Sequence, residues 1–184
     1  MSTQTQKRLF TVAEYHKMAE VGILPERGVE LINGEIINMS PIGTKHAAMV
    51  DKLLRLLAVV VPEDVVLRIQ NPFLANDLSE PEPDICLVKL RPDYYESSLP
   101  QGQDILLIIE VADTTFTYDN KVKRALYAQS GVPEYWVLDL NKQQIHVYWE
   151  IFDQAYQKNK VVKSGEWIEV QMLSVQIETK KILG

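Results

Sequence analysis

The run Ile105-Leu106-Leu107-Ile108-Ile109-Glu110-Val111 constrains this chain more than any other segment. A strand with one wet face alternates apolar and polar residues, whereas this run is apolar at nearly every position. It reads as a strand from Asp104 to Val111, central in its sheet and covered on both faces. Two amphipathic stretches supply helices to cover it. Gly43 to Val60 places Ala47, Val50, Leu53, Leu54 and Leu57 on one stripe, and Pro62 stops it. Asp119 to Ser130 places Val122, Ala125, Leu126 and Gln129 on one side, with Gly131 and Pro133 closing it.

Shorter elements surround these. Thr11 to Ala19 reads as a helix, capped by Thr11 with Glu14 three residues on. Asn33-Gly34, the strongest hairpin dipeptide, joins strands Val29 to Ile32 and Glu35 to Met39. Val65 to Ile69, Ile85 to Val88 and Tyr135 to Leu138 are further strands. Gln144 to Trp149 alternates as an outer strand, and weaker strands fall at Ala155 to Val162 and Trp167 to Val170. The fold class is α/β (α+β), a mixed central sheet flanked by helices, with an added N-terminal hairpin and C-terminal strands. At 184 residues the chain is expected to form one domain, residues 9–184, behind a polar, flexible N-terminus of residues 1–8.

Within this frame, three side chains carry chemistry. Asp84 follows Pro83 at the start of one strand, Glu110 sits near the end of the central one, and Lys123 lies on the following helix. If the two strands are neighbours, about 4.8 Å apart, the carboxylates can share one hard divalent cation that takes oxygen ligands and keeps waters. Two acids and a lysine so placed are the minimum set for metal-assisted phosphodiester hydrolysis. Each acid alone reads more readily as a turn cap or a wet strand end, and it is the two together with the lysine that favour the functional reading. Lys123 also reads as half of a solvated pair with Asp119, at i, i+4, and Lys121 competes for its role. His46 starts the first long helix, where it either bonds backbone or meets a phosphate. Glu30 is a further metal-side acid or an outward strand residue, and Gln70 is placed to bond substrate or a metal-bound water. Trp136, Trp149 and Trp167 are assigned to core or sheet face.

Composition narrows the alternatives. A net charge of −6 argues against coating nucleic acid by bulk charge, but clustered acids at a metal site lower that figure without excluding a nuclease. The single cysteine, Cys86, lies in an apolar run, so a buried thiol in a reducing cytoplasm is expected. No apolar run is long enough to cross a bilayer, so no membrane partner is expected. CxxC, HExxH, GxxxxGK[ST] and GxSxG are all missing, which leaves structural zinc, zinc proteolysis, P-loop nucleotide binding and serine hydrolysis without support.

Taken in order, Glu30-Leu31-Ile32-Asn33-Gly34-Glu35-Ile36, Met39-Ser40-Pro41, His46, Gln70-Asn71-Pro72, Glu80-Pro81-Glu82-Pro83-Asp84-Ile85, Ile109-Glu110-Val111, Tyr118-Asp119, Lys123, Tyr127-Ala128 and Gly131 to Asp139 resemble the Uma-type restriction endonuclease family. That family belongs to the PD-(D/E)XK nuclease superfamily. The resemblance implies a restriction-endonuclease-like core in which Asp84 and Glu110 bind Mg2+, with Mn2+ able to substitute. It also implies a DNA substrate. The superfamily's usual lysine stands two residues after the second acid, where this chain has Ala112. The resemblance moves it to Lys123. A homodimer would let two sites address both strands of a duplex, with Gln144 to Trp149 as an edge for pairing. The rival readings are a catalytically silent nucleic-acid-binding or interaction protein on the same scaffold, and a structural domain whose acids are ordinary surface groups.

Overall fold

The computed structural model of the chain describes residues 7–25 and 27–184. Met1 to Gln6, most of the expected flexible N-terminus, lie outside the described residues. Helix α1 (Val12–Glu20) starts with the reciprocal cap read from the sequence: Glu14 N–H donates to the Thr11 hydroxyl, and Glu14 accepts from Thr11 N–H. Strands β1 (Val29–Ile32) and β2 (Glu35–Asn38) form the hairpin, with Asn33 and Gly34 both at positive φ as a tight type I′ turn demands. Helix α2 (Thr44–Val60) comes next.

The central sheet has six strands in the order β3-β4-β5-β6-β7-β8. They are β3 (Val65–Ile69), β4 (Ile85–Lys89), β5 (Ile105–Ala112), β6 (Glu134–Asp139), β7 (Gln144–Phe152) and β8 (Ala155–Lys163). Only β5 and β6 pair in parallel. All eight residues of β5 are buried, as a strand covered on both faces must be. Alternation divides the core. Ile85, Leu87, Leu107, Ile109 and Val111 pack with Val50, Leu53 and Leu57 of α2. Cys86, Val88, Ile108 and Ala112 pack with Leu126, Tyr127, Val132 and Tyr135 on the opposite face. Cys86 is a buried free thiol. No helix among the described residues is long and apolar enough to cross a membrane.

Three expectations change. Gln144 to Trp149 is not a sheet edge, because β7 is bonded to β6 on one side and to nine-residue β8 on the other. The edge on this side of the sheet is β8, so pairing between copies through β7 is blocked. A strand β10 (Val175–Glu178) pairs with β9 (Trp167–Val170), and a short helix α5 (Lys180–Leu183) ends the chain. β9 matches the expected strand, while β10 and α5 have too little periodicity to stand out in sequence. The second long helix is neither regular nor confined to Asp119 to Ser130. It begins as α3 (Phe116–Tyr118), widens to a π-helical segment (Asp119–Lys123) and resumes as α4 (Arg124–Gln129). The wider turn rotates the resumed helix about its axis, so Leu126, Tyr127 and Ala128 are buried while Ala125 and Gln129, expected on the packed side, are exposed.

Candidate active site

Register places the two acids together. Ile85 on β4 pairs with Ile109 on β5, so one step further along the antiparallel pair sets Asp84 opposite Glu110. Val111 N–H donates to Asp84 Oδ2 at 2.8 Å, and Asp84 N–H reaches Glu110 Oε2 at 3.3 Å. Being on the face of β5 that α4 covers, Glu110 points toward the helix rather than toward α2. There Lys123 Nζ donates to Glu110 Oε1 at 3.0 Å and lies 3.3 Å from Glu30 Oε2. The Tyr127 hydroxyl donates to the same Oε1 at 2.6 Å.

The supporting residues converge on Asp84. His46, in the first turn of α2, donates from Nε2 to Asp84 Oδ2 at 2.9 Å, and its buried Nδ1 has no hydrogen-bond partner among the described residues. Gln70 leaves β3 at a φ of 48° and approaches Asp84 Oδ1 with its amide at 3.4 Å. Asp84, Glu110, Lys123, Glu30, His46 and Gln70 therefore form one cluster. The reading of Glu30 as an outward strand residue fails, because it is 3% exposed and faces Lys123. The solvated Asp119–Lys123 pair fails as well, since both are buried. Lys121 is exposed and takes no part. Ala112 is fully buried in the core, and the ammonium that meets Glu110 comes instead from the helical segment packed over the strand.

The π-helical segment holds this lysine in place. Thr115 Oγ1 donates to Asp119 Oδ2 at 2.5 Å, the Tyr135 hydroxyl donates to the Asp119 carbonyl at 3.2 Å, and the Tyr148 hydroxyl donates to Asn120. The sequence reading passed over Tyr127 and Asp119 as site residues. Spacing of four from Lys123 was a signal for Tyr127, being the repeat that stacks side chains on one helical face.

The electrostatics set the two acids apart. Burial pushes Asp84 upward, but the hydrogen bond and charge of His46, together with Val111 N–H, outweigh it and leave Asp84 below its ordinary value. Burial pushes Glu110 up to about 8; Lys123 opposes that shift, while Asp84 and Asp119 reinforce it. Burial works against a charged Lys123, yet Glu110, Glu30 and Asp119 more than offset it and keep the ammonium protonated. His46 is raised by its bond to Asp84.

A divalent cation fits this donor set. Four buried carboxyl groups (Glu30, Asp84, Glu110, Asp119) face one ammonium and one imidazole, so the site holds more acids than cations to pair with them. Each central acid has one oxygen heavily used and one lightly used. Asp84 Oδ2 takes two strong bonds and Oδ1 only the long Gln70 contact, while Glu110 Oε1 takes two and Oε2 only the 3.3 Å backbone contact. Among the described residues no three Asp, Glu, His or Cys side chains form a ready-made metal cage. Two carboxylates completed by water suit Mg2+, which keeps several waters when bound.

The mixed sheet with its flanking helices is the fold of a restriction-endonuclease-like nuclease. The chain belongs to the Uma2 family, described as "Putative restriction endonuclease", whose profile matches residues 12–180. A crystal structure of "a putative nuclease belonging to DUF820" from Anabaena variabilis has the same fold, with a TM-score of 0.72 at 19% identity over 95% of this chain and 97% of that one. No curated protein matches the sequence.

Proposed function

We propose that the protein is a divalent-metal-dependent endonuclease that hydrolyses DNA phosphodiester bonds, with Mg2+ as its cofactor and Mn2+ able to replace it. The observation that carries this reading is the uneven use of the two carboxylates: Asp84 and Glu110 lie opposite each other on neighbouring strands, each with one lightly engaged oxygen. Those oxygens would hold the cation. When bound, it would polarise the scissile phosphate and lower the pKa of an attacking water.

The chain's own groups do the rest. Lys123 stays charged between Glu110 and Glu30. It is placed to orient the water or to stabilise charge developing on the phosphate. His46 holds Asp84 from α2, and Gln70 supplies an amide at the same carboxylate. Cleaving both strands of a duplex calls for two such sites, which a two-fold homodimer would provide. Sedimentation of the purified protein tests that.

The direct test is nicking of supercoiled plasmid with Mg2+ or Mn2+ against EDTA, beside Asp84→Asn and Glu110→Gln proteins of verified fold. Divalent-dependent nicking abolished by both substitutions supports the reading, and nicking that survives them overturns these residue roles. One observation favours a second reading, a silent nucleic-acid-binding protein on the same scaffold. Lys123 bonds Glu110 and lies close to Glu30, which neutralises part of the cluster without any cation. That reading requires duplex binding that Asp84→Asn leaves intact and no divalent-dependent cleavage.

A further inference from the structure

We infer that Tyr127 is a positioning residue that presents Glu110 to the cation, by keeping one carboxylate oxygen bonded so that the other remains available. This rests on the metal-site reading of Asp84 and Glu110. Two donors converge on Glu110 Oε1: the Lys123 ammonium at 3.0 Å and the Tyr127 hydroxyl at 2.6 Å. Among the described residues no side chain donates to Oε2, whose one hydrogen bond is from Asp84 N–H at 3.3 Å.

A lysine alone is a poor clamp. Its ammonium has three rotatable donors on a flexible stem, and here it also lies 3.3 Å from Glu30. A carboxylate held only by it can turn about its last torsion, which is broad and roughly two-fold, and exchange its oxygens. Tyr127 removes that freedom. Its ring is fully buried, edge-on to Tyr135 at 5.0 Å and tilted against Phe73 at 5.7 Å, so its hydroxyl has a fixed origin. Wide spacing in the π-helical segment carries Lys123, and Tyr127 lies four residues later on the resumed α-helix. One helical face thus brings the charge and the clamp to the same oxygen.

The test is calorimetric titration of the protein with Mn2+, comparing wild type, Tyr127→Phe, Tyr156→Phe and Asp84→Asn, with melting curves on each. Outer partners of metal ligands typically change affinity by about tenfold to a hundredfold. Tyr127→Phe is expected to weaken Mn2+ binding by that factor. It should also lower kcat on plasmid with KM for DNA unchanged, since Tyr127 touches the acid and not the substrate. Tyr156→Phe deletes a hydroxyl from the same aromatic cluster, one that bonds the Val132 carbonyl instead; it should bind Mn2+ as wild type does. If Tyr127→Phe binds Mn2+ as tightly as wild type, or if Tyr156→Phe weakens it equally, Tyr127 acts only through packing and the inference fails, while the metal site stands. If wild type binds no Mn2+, the metal-site reading fails and takes the inference with it. Should Tyr127→Phe melt below the assay temperature, Tyr127→Met also lacks the donor and fills the space with a more adaptable chain.

Discussion

Two buried glutamates on adjacent strands of one sheet have opposite designs. Glu134 opens β6, and each of its oxygens accepts one neutral donor: the Trp136 indole N–H at 2.7 Å on one, Gln171 N–H at 2.7 Å on the other. It ties the turn after β9 to the sheet and is closed on both sides. Glu110 on β5 has both its side-chain donors on one oxygen, one of them charged. Burial raises both groups, Glu134 to about 7 and Glu110 to about 8. An elevated pKa therefore does not distinguish a structural acid from the one proposed to bind the cation. The distribution of donors between the two oxygens does.

The comparison breaks most easily at the acids themselves. Glu110→Gln is expected to cost up to about a thousandfold in divalent-dependent nicking rate, while Glu134→Gln, far from Asp84, should stay within about twofold. A plasmid assay at saturating Mg2+ on both proteins decides it, and equal losses would dissolve the distinction. Lys123→Met should come next, destabilising by about 3–5 kcal/mol in urea at pH 7, because it leaves Glu110 and Glu30 buried without their cation. Added Mn2+ should recover part of that loss, as a ligand that binds only the folded state does.

A third test uses pH. The folded pKa of Glu134 lies above the ordinary 4.5 because burial outweighs its two hydrogen bonds. The stability it contributes is thus fully present below about 4.5 and is lost as pH rises through about 7, since the unfolded chain releases the proton first. That loss is at most about 3 kcal/mol. Denaturation curves at pH 5 and pH 8 should show Glu134→Gln losing less stability over this interval than wild type, because an amide does not titrate. The smallest effect is expected at Lys121. It is exposed, so Lys121→Ala should shift stability by no more than about 0.5 kcal/mol and leave nicking unchanged, which sharpens the assignment to Lys123.

Much of the scaffold was legible in the sequence because its signals are local. Thr11 with Glu14, Asn33-Gly34, the α2 stripe and the apolar run of β5 each encode their element through backbone geometry or burial. The expected second helix failed at its start and at its packed side because a π-helical segment is stabilised by distant groups. The hydroxyls of Tyr135 and Tyr148 reach it from β6 and β7, and no periodicity within Asp119 to Ser130 reports them. β7 was misread as an edge for a similar reason: alternation shows one wetter face, not whether a neighbour is bonded alongside.

By itself, then, the sequence determined which acids and lysine stood as candidates, the strands beside them and the helical stretch that carries Lys123, since residue type, burial pattern and turn chemistry are properties of short segments. Only the tertiary structure decided that Asp84 lies opposite Glu110, that Glu30 and His46 join them, and that Tyr127 and Lys123 share one oxygen. Those facts depend on strand register and on the rotation of a helix over a sheet. Both are set by contacts between residues far apart in the chain, where a single residue of slip or one wider turn redirects every side chain beyond it.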